Sequence, residues 1–337
     1  MMDLNILWFM LIVVLFTGFF FLEGFDYGVG ILMPFLSPHD KERSLVLRTI
    51  APVWDGNEVW MITAGGALFA AFPHVYATMF STFYLALFFM LLALILRGTG
   101  LELRGKHDSL TWKRCWNWAI CIGSALPAFL WGVAVTNLLQ GLPIDDRMIY
   151  QGTFFDLLSP YTITGGLTFL LVFLFHGMSF LRLRLAEEWM LCRLRCWSMR
   201  TGALTAVVFL ICGGMTCLLT DFLHSLPALV LFIAAAVCFL GACLAAVRNH
   251  DTAAFAGSSL SILCTTAAFF AALFPRLMVS SLQPEWSLTI YNASSTPYTL
   301  TIMSAAAACL VPIVLLYQGW TYWIFRRRIS KNDSGLY

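Results

Sequence analysis

The chain has 337 residues, of which 60% are hydrophobic and 11% charged, with a mean hydropathy of +0.81 and a formal net charge of +2. Soluble domains have about 45–50% apolar and about 25% charged residues, so a soluble fold of this length could not bury so much apolar surface. The small net charge gives no indication of nucleic acid or of an acidic partner. The composition predicts an integral membrane protein that crosses the bilayer many times.

A membrane helix needs about 20 mostly apolar residues, and a window of that length predicts about nine spans along this chain. The first apolar run begins at Ile6 and is neither preceded by a basic segment nor followed by a small-residue cleavage site. We therefore expect it to be a retained span and not a signal peptide. The second span is the weakest, because Asp55 and Glu58 lie in its first turns. In chain order the predicted spans lie near residues 6–33, 53–72, 75–97, 115–138, 161–181, 202–219, 227–247, 253–273 and 301–324.

The charges of the connecting loops predict the orientation of the spans. Lysine and arginine follow the first, third, fifth, seventh and ninth spans, while the intervening loops are mostly acidic, with Arg147 and Arg276 as their basic residues. Basic loops mark the cytoplasmic side of a membrane. We therefore predict an outside N-terminus and a cytoplasmic C-terminus, and nine spans satisfy this alternation.

Acidic residues inside two predicted spans break the apolar pattern. Glu23 and Asp26 are three residues apart, so a helix would place both carboxylates on one face, and nearby glycines would let another helix approach that face. Asp55 and Glu58 repeat this spacing at the start of the second span. Such acids either cap a helix start, where the helix dipole favours them, or handle protons, and the residues alone favour both equally.

Other chemistry-bearing residues are expected to be structural. Arg97, at the end of the third span, is interpreted as an anchor at the cytoplasmic interface. His176 has no spaced partner for a transmembrane haem, so we expect a hydrogen-bonded helix contact. Cys192 and Cys196 lie in an Arg-rich loop without the second half of a zinc site, and the other eight cysteines lie in or beside apolar runs, where they act as small hydrophobes. On these residues alone a transporter, a proton path and a respiratory subunit all remain open.

The acidic segments lie within longer stretches that resemble subunit II of the cytochrome bd-type quinol oxidases. The likeness extends over essentially the whole chain with compatible spacing. The matching stretches are 23–30 (EGFDYGVG), 50–60 (IAPVWDGNEVW), 63–73 (TAGGALFAAFP), 137–141 (NLLQG) and 311–317 (VPIVLLY).

The resemblance implies an all-α fold of two four-helix bundles and one peripheral helix, which fits nine spans. It predicts one integral membrane domain over residues 1–337, with a first bundle in 1–138, a second bundle and the peripheral helix in 161–324, and a cytoplasmic tail in 325–337. The location it implies is the bacterial cytoplasmic membrane.

The resemblance also implies a function in aerobic respiration, the oxidation of membrane quinol and the reduction of dioxygen to water. In this family haem b, haem d and the quinol-oxidising loop belong to subunit I, the expected partner, and some members of subunit II carry a structural quinone. Small single-span accessory subunits and lipids are further expected partners. The isolated chain is not expected to be catalytic.

Individual residues take their expected roles from the same resemblance. Asp55 matches the acid of the family's proton-entry path, and Asp26 and Glu23 match first-helix positions where acids recur. Glu58 matches a position that is a neutral glutamine in other members, so its charge is not expected to be required. The competing hypotheses are a secondary transporter with acidic coupling residues, which would show internal repeats, and a purely structural subunit.

Overall fold

The computed structural model describes residues 3–331, and α-helices make up most of that range. The two short helices are α2 and α4, and the others are between 18 and 33 residues long. The helices are α1 (Leu4–Leu36), α2 (Asp40–Arg48), α3 (Trp54–Ala71), α4 (Pro73–Thr82), α5 (Tyr84–Leu103), α6 (Leu110–Gln140), α7 (Pro160–Arg184), α8 (Glu188–Leu219), α9 (Leu226–Val247), α10 (Asp251–Leu273) and α11 (Pro297–Ile324).

The predicted helical membrane fold is confirmed. Within the described range, eight helices are long and apolar enough to cross a membrane: α1 and α5 to α11. Helix α3 covers the predicted second span but does not reach the same apolarity, because its first turns carry Asp55, Asn57 and Glu58. The count of nine spans and the orientation therefore stay predictions.

Two boundaries differ from the sequence prediction. The predicted third span is divided at Phe83 into α4 and α5. The stretch expected to be an Arg-rich loop is helical, because α8 begins at Glu188 and includes Cys192 and Cys196. Arginine, leucine and methionine are good helix formers in water. The helix can therefore continue through the charged stretch, beyond the part that is apolar enough to lie in the membrane.

The helices pack in two groups around α1. One group contains α1, α3, α5 and α6, and the other contains α7, α8, α9 and α10. Helix α1 contacts α7 and α10 of the second group, and at its crossing with α7 a Cβ on Gly28 would collide with the Phe173 carbonyl and the Gly177 backbone. Glycine thus permits a close helix approach as predicted, but on the side of α1 that faces α7 and not on the side of the Glu23 and Asp26 carboxylates. Helix α11 is peripheral, with contacts to α1 and α3 and with Leu300 as its buried residue.

Short connections close the two ends of the helix assembly. At one end β1 (Arg276–Met278) pairs with β2 (Leu288–Thr289), and Leu142 bridges Ser280. At the other end the chain after α11 returns across the molecule, where Ile329 forms a bridge with Leu185. Lys331 then donates to Glu42 of α2 at 2.7 Å, so the tail is connected to both helix groups.

Candidate functional site

A buried ion cluster joins three helices of the first group. Arg97 of α5 pairs through Nη1 with Glu23 of α1 and with Glu58 of α3, the second contact at 2.9 Å. The side chains of Arg97 and Glu23 are fully buried, while that of Glu58 is 20% exposed. The guanidinium also lies 4.9 Å from the centroid of the Tyr27 ring. A buried charge is tolerated in a membrane when it is paired, and here two carboxylates share one arginine.

A second polar chain extends from the same part of α1 to the peripheral helix. Asn57 of α3 donates from Nδ2 to Asp26 Oδ2 at 2.6 Å. Its Oδ1 accepts from the Tyr322 hydroxyl at 2.8 Å and from Gln318 Nε2 at 3.2 Å. Because α11 supplies two donors to Oδ1, the amide of Asn57 is oriented with its nitrogen towards Asp26. Trp60 Nε1 donates to Gln318 Oε1 at 2.7 Å and closes the contact between α3 and α11.

These two networks leave buried polar atoms without a protein partner. They are Glu23 Oε2, Asp26 Oδ1, and Arg97 Nε and Nη2. Most buried polar groups in proteins are hydrogen-bonded, and an unpaired one is costly. The cluster therefore has the capacity for further hydrogen bonds at the junction of α1, α3 and α5.

Asp55 lies apart from this cluster. It is in the first turn of α3 and exposed, and among the described residues its side chain makes no hydrogen bond or ion pair. Val59, Ile62 and Phe69 continue its side of the helix, and each is about half exposed or more. The structure thus brings Glu23, Asp26 and Glu58 together, and it leaves Asp55 exposed in the first turn of α3. Further along the same side of α3, Ile62 and Phe69 line an apolar cavity, and Phe69 packs on Tyr76 of α4.

The interpretation of Arg97 as an interfacial anchor is wrong, because the side chain is fully buried and paired with two carboxylates. A single sequence shows an arginine at a span end and does not show which neighbour it meets. The roles of Asn57, Gln318 and Tyr322 were also not predicted. A signal existed for the last two, which are polar and four residues apart in an apolar helix and therefore lie on one face.

His176 is a helix contact, as predicted. Its Nδ1 is 2.8 Å from Ser258 Oγ of α10, and its Nε2 is 3.2 Å from the Phe21 carbonyl of α1. The ring stacks on Phe255 with centroids 4.8 Å apart. Both ring nitrogens are engaged in the protein, so this side chain is not placed to hold a haem iron.

An apolar cavity of about 620 Å³ lies between α1, α3, α4, α5, α6 and α10. Its lining includes Phe20, Tyr76, Leu87, Trp131 and Phe270. The indole nitrogen of Trp131 is buried beside the Tyr27 hydroxyl. The cavity separates α3 from α5 along much of their length. The ion pair between Glu58 and Arg97 connects the two helices beside it.

These features define a polytopic helical membrane protein that buries an ion cluster in one half of its fold. The family model described as cytochrome bd terminal oxidase subunit II matches residues 4–325. The chain therefore belongs to the cytochrome bd terminal oxidase subunit II family. It is a multi-pass protein of the bacterial inner membrane and a subunit of a quinol oxidase.

Individual relatives agree with the family. The chain is 40% identical to the Bacillus subtilis protein named cytochrome bd ubiquinol oxidase subunit 2, over all of both chains. It is 37% identical to the Escherichia coli K12 protein named cytochrome bd-I ubiquinol oxidase subunit 2, over 98% of this chain and 96% of that one. A chain of the bd oxidase structure from Geobacillus thermodenitrificans has the same fold, with a TM-score of 0.72 and 15% identity over 96% of this chain and 99% of that chain. Family membership removes the support for a secondary transporter.

Proposed function

We propose that this chain stabilises a haem-bearing subunit I and supplies part of the path by which protons enter for the reduction of dioxygen to water. Haem b and haem d are held by the partner in this proposal, and membrane quinol is the electron donor. The observation that carries it is the exposed position of Asp55 on the face of the first turn of α3, one helical turn before Glu58 of the ion cluster. A carboxylate on that face would lie in the contact with the partner subunit.

Helix α3 connects the exposed acid to the interior of the chain. Glu58 lies one turn further along the same side and pairs with Arg97, which also holds Glu23. The opposite side of α3 presents Asn57 to Asp26. Acids and hydrogen-bonding groups that succeed one another inside a membrane are the means by which proteins move protons. We assign Asp55 the entry position, and Asp26 and Glu23 the weaker role of extending the path inward.

The apolar cavity fits a structural quinone. Its walls are apolar, as an isoprenoid tail requires, and a quinone ring would pack against the aromatic side chains of Phe20, Trp131 and Phe270. Such a quinone would fill the space between α3 and α5. Small single-span accessory subunits and lipids would cover other exposed apolar faces, such as that of α11.

The test of the proton-path role is Asp55→Asn in the assembled oxidase. We expect unchanged haem spectra and yield, and quinol-driven oxygen consumption reduced by about tenfold or more, because the variant keeps the shape of the side chain without its proton exchange. Glu102→Gln is the matched control, since Glu102 is an exposed acid at the end of α5 that is predicted to be cytoplasmic. Normal turnover in a fully assembled Asp55→Asn enzyme would leave Asp55 as a helix-start acid, worth about 0.3–1 kcal/mol.

A further inference from the structure

A polar pocket lies at the end of α1 and α6 that the loop charges predict to be cytoplasmic. It is a cavity of about 420 Å³ between the last turn of α1, the first turn of α2 and the first turns of α6. Unlike the apolar cavity of the membrane interior, it is lined by several charged side chains. The lining residues are Pro34, Pro38, Asp40, Arg43, Leu110, Lys113, Arg114, Asn117 and Trp118.

The pocket has an excess of positive charge. Its one acid, Asp40, pairs with Arg104 behind the pocket and lies 3.2 Å from Lys113 Nζ. Arg43 donates only to carbonyl groups, to that of Ser37 at 2.8 Å and that of Pro34 at 3.4 Å, so its charge is oriented but not neutralised. Arg114 is exposed and makes no side-chain hydrogen bond or ion pair within residues 3–331. Two guanidinium groups are therefore available to an anion.

Aromatic and apolar side chains beside the pocket place it at the membrane surface. Trp118 is 45% exposed and meets Phe35, which is 50% exposed, with ring centroids 5.7 Å apart. Leu110 on the rim is 76% exposed. Exposed tryptophan and phenylalanine at the end of a membrane helix are typical of the boundary between headgroups and acyl chains. An anion in the pocket would thus have an apolar surface next to it.

We propose that this pocket binds the phosphate group of an anionic phospholipid of the cytoplasmic leaflet, with its acyl chains along Phe35 and Trp118. Arginine binds phosphate oxygens through paired N–H donors, and Lys113 adds a third positive charge. Basic pockets on the cytoplasmic side of membrane proteins bind such headgroups. The apolar neighbours favour a lipid over free phosphate, because they contact only a molecule that has acyl chains.

The experiment uses the complete oxidase complex, purified in mild detergent and exchanged into nanodiscs that contain phosphatidylcholine with a small fraction of phosphatidylglycerol. Retained phosphatidylglycerol is measured by native mass spectrometry. Arg114→Gln should weaken retention about fivefold, and Arg114→Gln with Lys113→Gln about twenty-fivefold, because each basic side chain near an anionic lipid contributes a similar factor. Arg200→Gln, an exposed arginine of α8 with the same charge change, should have no effect.

Three outcomes would overturn the proposal. They are equal retention by the wild type and the pocket variants, equal retention of phosphatidylcholine at the pocket, and full displacement of the lipid by millimolar inorganic phosphate, which would indicate a free-phosphate site. If Lys113→Gln prevents assembly by releasing Asp40, Arg114→Gln alone decides the question, since the Arg114 side chain makes no hydrogen bond or ion pair within residues 3–331.

Discussion

Helices α1, α3 and α5 enclose an ion cluster, whereas α7 and α10 meet at membrane level through neutral groups. In the first region, Glu23, Glu58 and Arg97 form a charged triad. In the second, His176 and Ser258 share a hydrogen bond, and the nearest comparable ion pair, Arg182 with Asp251, includes the first residue of α10.

The difference shows where this protein needs charge. Charged groups inside a membrane are costly, and scaffold contacts can be made more cheaply with hydroxyl groups and imidazole. The first region keeps its charges next to the first turns of α3, where Asp55 is exposed. The second region also buries an arginine, Arg182, but pairs it with a single carboxylate, that of Asp251, whereas Arg97 faces two.

The largest effect is expected from Arg97→Gln, which removes the positive charge of the first region. The variant leaves Glu23 and Glu58 without their counterion, and breaking a buried ion pair costs about 3–5 kcal/mol. We expect a large loss of assembled oxidase, measured as haem-containing complex after gel filtration. Adding Glu23→Gln should restore part of the yield, because the fully buried uncompensated carboxylate is removed. A normal yield for Arg97→Gln alone would show that the cluster does not depend on charge pairing.

A smaller effect is expected from His176→Phe in the second region. The aromatic ring keeps its stacking on Phe255, and Ser258 keeps its hydrogen bond to the Phe255 carbonyl. The loss is limited to the hydrogen bonds of the imidazole, worth about 0.6–1.7 kcal/mol each in membrane proteins. Thermal unfolding should register this decrease while oxygen consumption stays at the wild-type level. A strong loss of turnover in a stable variant would mean that the second region also takes part in the chemistry.

The smallest effect concerns Glu42, outside the membrane spans. Burial raises the pKa of Glu42, but the hydrogen bonds from Lys331 and Ser37 and the charges of Lys331 and His39 outweigh it and lower the pKa. A lowered pKa gives stability that is present above the ordinary glutamate pKa of about 4.3 and is lost as the pH falls through the lowered value. Because Lys331 is 45% exposed, Glu42→Gln should cost at most about 1 kcal/mol at pH 7.

The pH dependence distinguishes this ion pair from a packing effect. The difference in melting temperature between wild type and Glu42→Gln should shrink as the pH falls below the ordinary glutamate pKa and through the lowered pKa of Glu42, where the wild-type carboxylate becomes protonated. A difference that is independent of pH would assign the contribution of Glu42 to shape and not to charge.

The helices themselves could be predicted because apolar length is a local property of the chain. The composition of residues 4–36 is enough to predict α1. The glycines in it are enough to predict that a neighbouring helix can come close, as α7 does at Gly28, because glycine has no side chain. The split at Phe83 and the extension of α8 to Glu188 could not be predicted, because hydropathy reports where lipid ends and not where a helix ends.

The amino-acid sequence by itself determined a helical membrane protein with acids at Glu23, Asp26 and Asp55, and through its long motifs the family. Only the tertiary structure decided which of these acids are paired. Arg97 is 74 residues from Glu23 and 39 from Glu58, and the orientation of Asn57 depends on Tyr322, which lies 265 residues further along the chain. Burial and pairing depend on which helices become neighbours, and no local pattern contains that information.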